Sequence, residues 1–425
     1  MNQLNSHNLS LRDYLELDDS ARDSDALREM VDLDLIDTVL RKCLTIEDMR
    51  EAGSFFTGST LAKKALDSFT IPVNSEAVVL DPTCGAGNLL IVCSRELEVK
   101  ATLSATLEIW GQVLWGFDIH ESFIETTKLR LIVEALYRGA RKDCCIEDAF
   151  DLLNHILCKD AMLVEANELE PVTHVIMNPP FSDWPSPRDN YWKNGKVNAA
   201  GVIFDKYLRI LPTGCLVTAI LPDVLRSGSR YGGFRDFLNS KLVASCEVWG
   251  RFNTKTDVDV FLLIGYVSDL CTSEIQWYEE LNDYLKLSDK YDVRIGPLVA
   301  YRDPEEGCEY PYFHPKNSPT WGRVESKDVR ERRRFKGTVC KPPFVVIKRT
   351  SSPSDRYRAA ATVINTKELT AVENHMIVVS PKSGRLADCI SLLKVLKSSK
   401  TNDFLNNRTR MRHLTVGVIK DIPLD

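Results

Sequence analysis

The sequence predicts an open α/β sheet preceded by helices and followed by a separate α+β domain, and three observations carry that expectation. Between about residues 76 and 267, short apolar runs alternate with stretches of helical spacing, the pattern of strands joined by helices in a largely parallel sheet. Within the first 50 residues the apolar positions instead recur at helical spacing throughout. After about Ser268 the alternation fades and the charge changes sign. Residues 321–425 carry 22 Lys+Arg against 10 Asp+Glu, a net of +12, so the remainder of a chain whose overall charge is −6 carries −18. The expected organisation is an N-terminal helical segment at 1–50, an α/β domain at 51–275 and a C-terminal domain at 290–425.

Taken in order, Leu11, Tyr14 and Leu15, then Leu27, Met30, Val31, Leu35, Ile36, Val39 and Leu40, mark the N-terminal helices. Thr45 and Ser59 offer hydroxyls that can cap helix starts. Ala77–Leu80, Val113–Phe117, Val175–Met177, Cys215–Leu221 and Val258–Val267 read as strands. Leu89–Leu97, Ser122–Tyr137, Ala199–Leu211 and Tyr231–Leu242 read as the helices between them. A sheet of this kind takes its ligands beyond the carboxyl ends of its strands. Residues 296–322, rich in Pro, Gly, Tyr and Glu, read as a loop or linker. Phe344–Ile347 and Met376–Val379 read as strands of the last domain, and Leu386–Lys397 as a helix.

Composition excludes several classes. Of 425 residues, 44% are hydrophobic and 27% charged, too apolar for a disordered chain. No apolar run approaches the ~18–20 residues of a membrane span. The polar, acidic opening is unlike a signal or transit peptide. The 12 Cys contain no CxxC pair; they read as reduced thiols in a cytoplasm, with no metal site. The basic last quarter on an acidic body suggests a module that binds a polyanion.

Three motifs carry chemistry. Val78–Leu90 reads strand, tight turn, helix, with Gly85 and Gly87 in the turn; they allow close approach of backbone to a ligand. It lacks the third glycine of the dinucleotide fingerprint and the Gly-Lys-Ser/Thr of a phosphate loop. Asp118 closes the next strand, where a carboxylate can accept both hydroxyls of a ribose. Asn178-Pro179-Pro180-Phe181 follows the strand His174–Met177. Consecutive prolines end the ladder there and form a rigid turn, offering a side-chain oxygen, a backbone carbonyl and a flat apolar ring.

Together these residues resemble the gamma class of S-adenosylmethionine-dependent DNA adenine-N6 methyltransferases of restriction–modification type. The resemblance covers roughly residues 50–270. It implies a Rossmann-like methyltransferase sheet for 51–275 and a DNA target-recognition domain for 290–425. Gly53–Ser59 resembles the leading cofactor motif, with Gly58 where the family usually has Pro. Cofactor binding is then implied for Phe56, Thr57, Asp81, Thr83, Gly85, Gly87, Asn88, Asp118, Ile119, Asp160 and Ala161. Asp160, in Lys159–Met162, resembles the aspartate that holds the cofactor adenine, with Asp148 as its competitor. Catalysis is implied for Asn178, Pro179, Pro180 and Phe181.

The tetrapeptide also makes chemical sense by itself. An adenine amino group is a poor nucleophile because its lone pair is delocalised into the ring. Acceptors on both N–H bonds, the Asn178 oxygen and the Pro179 carbonyl, favour a more tetrahedral nitrogen facing an activated methyl group. The base must leave the duplex to reach such a pocket, and Phe181 can stack on it. For DNA phosphates the candidates are Arg332, Arg333, Arg334, Lys348, Arg349, Arg408, Arg410 and Arg412.

The expected partners are duplex DNA and, as a separate protein, a cognate endonuclease, with no membrane; monomer and homodimer both stay open. The rival readings are a protein-glutamine or RNA-base N-methyltransferase, which use the same tetrapeptide, and a catalytically silent DNA-binding subunit. The expected location is a prokaryotic cytoplasm, on the nucleoid when bound to DNA.

Overall fold

The computed structural model describes residues 2–17, 22–36, 38, 57–253, 256–271, 273–279, 281 and 284–424. Thr45, Phe56 and the rest of the leading motif before Thr57 lie outside the described residues. The chain divides into two compact units, Met1–Trp277 and Tyr278–Asp425.

The first unit is built on the strands β1 (Val79–Asp81), β2 (Leu114–Asp118), β3 (Ile156–Cys158), β4 (His174–Met177), β5 (Asp183–Pro185), β6 (Lys196–Asn198), β7 (Leu216–Pro222), β8 (Leu242–Arg251) and β9 (Asp259–Val267). Seven form one sheet in the order β3-β2-β1-β4-β7-β9-β8. The five from β3 to β7 are parallel, and β9 runs antiparallel between β7 and β8. β5 and β6 pair as a small hairpin of their own. Every residue of β1, β4 and β7 is buried, as a sheet covered by helices on both faces requires. One covering layer contains the helices Ser59–Asp67, Asn88–Ser94, Leu103–Val113 and Glu121–Tyr137. The other contains Ala199–Ile210 and Gly232–Lys241. Strand order reverses at β1, between β2 and β4, and a crevice opens at such a reversal.

The expected alternation is present, with additions at the sheet margins. β3 and β8 are edge strands that the sequence pattern missed. β3 is apolar but only three residues long, and β8 is interrupted by the exposed Ser245, Glu247 and Arg251, so neither stands out as a strand.

The helices Asn2–Leu15 and Ser24–Met30 pack on Glu121–Tyr137. Arg12 bridges Glu125 at 2.6 Å and Glu147 at 3.0 Å. The stronger tie is Arg130, fully buried in the middle of that long helix. Its guanidinium donates to the Ala86 carbonyl at 2.5 Å and to Asn88 Oδ1 at 2.7 Å. It reaches back to the Met30 and Asp32 carbonyls, each at 3.4 Å. Burial, and then the nearby Arg95, lower its pKa to about 10, so it stays charged at neutral pH.

The second unit holds a five-stranded sheet ordered β10-β17-β14-β15-β12 and a three-stranded one ordered β13-β11-β16. Its strands are β10 (Tyr291–Ile295), β11 (Cys308–Phe313), β12 (Arg323–Glu325), β13 (Arg332–Phe335), β14 (Phe344–Lys348), β15 (Ala361–Asn365), β16 (Ala371–Val372) and β17 (Met376–Pro381). β14 and β17 are the expected strands, and the expected last helix is present as Leu386–Leu396. The expectation of a loop over 296–322 is corrected: β11 lies inside it. Long-range pairing, antiparallel to β13 and parallel to β16, makes this Pro- and Tyr-bearing segment a strand. Among the described residues, no helix is long and apolar enough to cross a membrane.

Arg130→Met should lower the unfolding free energy by about 1–3 kcal/mol through the orphaned Ala86 and Asn88 acceptors, read as a shifted denaturant midpoint with an unchanged slope.

Candidate active site

The carboxyl ends of β1 to β4 converge on a cavity of about 380 Å³, within the size range of small-molecule sites. Four polar side chains reach it from four successive strand ends: Asp81 ends β1, Asp118 ends β2, Asp160 follows β3 and Asn178 follows β4. Parallel strands place these ends side by side although the residues lie far apart in sequence.

The turn after β1 sets the floor. Gly85 and Gly87 have φ of 52° and 81°, a region that L side chains rarely enter. A Cβ on Gly87 would also stand 2.7 Å from Thr127 Cγ2. The Gly85 N–H donates to Asp118 Oδ2 at 3.2 Å, and the His120 N–H to Oδ1 at 2.8 Å. Asp81 Oδ1 accepts from the Thr83 N–H at 3.1 Å. Burial pushes the Asp81 carboxyl up to about 8; the Thr83 N–H opposes that shift and the charge of Asp118 adds to it. Burial likewise raises the Asp118 pKa, against the N–H groups of His120 and Gly85. Asp160 caps the short turn Ala161–Leu163 through the Met162 N–H at 2.8 Å.

Asn178 Nδ2 donates to Thr57 Oγ1 at 3.0 Å. The far end of the tetrapeptide is fixed by Asn198, whose side chain donates to the Phe181 carbonyl at 2.9 Å. Asn198 in turn is anchored through its N–H by the Tyr231 hydroxyl at 3.0 Å. Phe181 is half-buried and meets Phe252 edge-on at 5.6 Å.

Of the sequence-predicted cofactor and catalytic residues, Thr57, Asp81, Thr83, Gly85, Asn88, Asp118, Ile119, Asp160, Ala161, Asn178 and Pro180 line this one cavity. Gly87, Pro179 and Phe181 adjoin it in the chain without lining it, Phe56 is not described, and Asp148 is not in the lining. Asn88 spends its amide on the Leu33 and Thr57 carbonyls, at 3.0 and 2.8 Å, which ties the glycine loop to the segment before it. Sequence reasoning missed Cys84, His120, Lys159, Met162, Ser182 and Trp184 in the wall. Cys84, Lys159 and Met162 lie inside the quoted motifs and His120 and Ser182 sit close behind Asp118 and Phe181, a signal that could have found them; Trp184, three residues past Phe181, carries none. The Cys84 thiol is buried and its pKa pushed well up by burial, so it is a wall group and no nucleophile.

The DNA candidates fall into two places in the second unit. Arg332, Arg333 and Arg334 stand on β13, where Arg332 pairs with Glu309 and Glu368 and Arg333 with Glu305. Lys348 and Arg349 lie beside the segment of Arg408, Arg410 and Arg412, joined by Leu414 N–H to Arg349 O and Ser351 N–H to Arg412 O, each 2.9 Å. The Arg408 guanidinium stacks over the rings of Tyr278 and Phe404.

The cavity's chemistry suits a nucleoside with a cationic tail. It offers strand-end carboxyl groups that can accept hydrogen bonds, two of them raised in pKa by burial and open to ionisation opposite a cation, and a glycine turn that admits close approach. The Thr83 and Ser182 hydroxyls, buried in the wall, lack a hydrogen-bond partner among the described residues, as donors awaiting a ligand would. Among the described residues, no group of three His, Cys, Asp or Glu is placed to hold a metal ion.

Residues 34–204 match the family described as N-6 DNA Methylase. Among solved structures, the fold is similar to the Type IIL restriction-modification enzyme MmeI in complex with DNA. That match has a TM-score of 0.55 and 11% identity over 92% of this chain and 70% of the other. The type IIG restriction endonuclease BpuSI matches with a TM-score of 0.44 and 14% identity, over 92% of this chain and 60% of that one. The chain thus spans about three fifths of the BpuSI structure.

A raised folded-state carboxyl pKa opposes ionisation, so its stabilising effect is full below the unfolded value of 3.8 and is lost as pH rises through about 8. In ligand-free protein the Asp81→Asn variant should therefore melt above the wild type at pH 8, and this advantage should vanish as pH falls to about 4.

Proposed function

From the match of residues 34–204 to the N-6 DNA methylase family, we propose that this protein moves a methyl group from S-adenosylmethionine to the exocyclic N6 of a flipped adenine in duplex DNA. In this reading it is the modification enzyme of a restriction–modification system, and a cognate endonuclease is a separate protein. The observation that carries the proposal is the meeting of Asp81, Asp118, Asp160 and Asn178 around one cavity at the switch point of the sheet.

S-adenosylmethionine, when bound, supplies a methyl group on a sulfonium, already activated for transfer. The chain's own residues bind and orient. Asp118 accepts the ribose hydroxyls, Asp160 and Ala161 hold the adenine with Ile119 against it, and Asp81 balances positive charge in the buried floor. On the acceptor side, the Asn178 side-chain oxygen and the Pro179 carbonyl take the two N–H bonds of the amino group. Its lone pair is thereby turned towards the donor, and positioning with charge complementarity lowers the barrier. Phe181, backed by Phe252, gives the flipped base an apolar face. The second unit, 278–425, serves as the target-recognition domain, with Lys348, Arg349, Arg408, Arg410 and Arg412 on phosphates.

The test supplies labelled S-adenosylmethionine with DNA, RNA and protein in parallel, followed by nucleoside analysis. N6-methyladenine in DNA is expected; label in cytosine, or only in protein glutamine, would overturn the reading. Asn178→Ala should remove most of the rate while sparing S-adenosylmethionine affinity, since its contact strengthens as the nitrogen changes geometry. Asp118→Ala should weaken that affinity by about 1.5–3 kcal/mol, the range for hydrogen bonds to a charged group, measured by calorimetry.

A further inference from the structure

We propose that Thr57 is a positioning residue for the transfer step: its hydroxyl holds the Asn178 amide with the carboxamide oxygen turned to the acceptor amine. The proposal rests on the methyltransferase reading above and moves Thr57 from the cofactor set, where the resemblance places it, to the acceptor side of the same cavity.

The two ends of a carboxamide are alike in shape and opposite in polarity: one donates two hydrogens, the other only accepts. An amine about to be methylated presents hydrogens. The reverse amide orientation would set donor against donor and leave the amine without the acceptor its geometry change needs. Thr57 Oγ1 lies 3.0 Å from Asn178 Nδ2, and both residues line the cavity. A hydroxyl can donate or accept, so Thr57 tolerates either orientation in the empty site. With an amine bound, only one arrangement satisfies every group: amine to Asn178 Oδ1, and Asn178 Nδ2 to Thr57 Oγ1. An alkyl group at the Thr57 position could not accept that hydrogen.

Thr57 is also held firmly enough to fill this role. It is buried, at 2% exposure. Its carbonyl accepts from Asn88 Nδ2 at 2.8 Å, and Asn88 Oδ1 accepts from the Arg130 guanidinium at 2.7 Å. The next residue, Gly58, opens the helix Ser59–Asp67, its carbonyl taking the Ala62 N–H at 2.9 Å. A run of hydrogen bonds therefore leads from a buried cation to the catalytic amide, through groups that need not touch either substrate.

The experiment compares Thr57→Val, nearly isosteric, with Thr57→Ser, which keeps the hydroxyl, on genomic DNA free of N6-methyladenine. Thr57→Val should lower kcat by about 10- to 100-fold, with the dissociation constant of S-adenosylmethionine within about twofold of wild type, while Thr57→Ser retains most of kcat. If Thr57→Val fails to fold, Thr57→Ala removes the same acceptor and is scored identically. Loss of S-adenosylmethionine affinity in step with kcat would return Thr57 to the cofactor set and overturn the proposal, as would full activity of the valine or alanine variant. Wild-type methylation of a different amino group would overturn the adenine reading alone, because the same comparison then reads out on that acceptor.

Discussion

Everything at the candidate site follows from placing negative charge where a parallel sheet is least able to solvate it. Asp81 sits at the end of a central strand with apolar layers on both faces, and the one local donor that answers it is a single backbone N–H. Such a group is tolerable in two ways: protonated, or opposite a cation. Its raised pKa records the first; a cationic ligand would supply the second. Asp118, one strand over, shares the constraint but has two N–H partners to soften it. The turn containing Gly85 and Gly87 serves this need, since the Gly85 N–H is brought to the Asp118 carboxylate.

The opposite charge is buried in the same unit and does a different task. Arg130 meets carbonyls and an amide oxygen, with no direct carboxylate partner among its hydrogen bonds. A planar guanidinium with five donors can gather several chain segments at once where a lysine would gather fewer. Here it collects the glycine turn, the first residue of the following helix and the carbonyls of residues 30 and 32. Arg358 repeats the device in the second unit, fully buried and donating to Ser351, Asn406 and the carbonyls of Thr409 and Met411. Arg130 and Arg358 thus each use an interior guanidinium to close segments that carry little regular structure of their own.

Much of this was legible in the sequence, and the remainder failed for identifiable reasons. The strands β1, β2, β4, β7 and β9 announce themselves because burial on both faces demands unbroken apolar runs. β8 does not, since an edge strand keeps one side for solvent, and β3 is too short to stand out. β11 carries Pro311 and two tyrosines, and only its partners make it a strand. Within the site, Asp81, Asp118 and Asn178 were readable because each ends or follows an apolar strand, whereas Asp160 follows the unrecognised β3 and came from the resemblance. The pairing of Thr57 with Asn178 spans 121 residues, and no local spacing encodes it. Asn88, implied as a ligand contact by the resemblance, does line the cavity, and its amide also braces the backbone of two neighbouring segments, which no local spacing encodes. Arg332 and Arg333 read as candidate phosphate contacts in sequence; their ion pairs with Glu309 and Glu305, distant along the chain, are not legible there.

The Arg130 clamp also dictates an order of events during synthesis. Its acceptors at residues 30, 32, 86 and 88 leave the ribosome first, and the side chain that joins them follows 42 to 100 residues later. Until the helix Glu121–Tyr137 has emerged, the glycine turn and the segment before it have nothing to gather round, and closing so long a span costs chain entropy before any contact repays it. The contacts of this clamp therefore close only after Arg130 has been added to the chain, which makes the long helix the last part of that assembly to arrive.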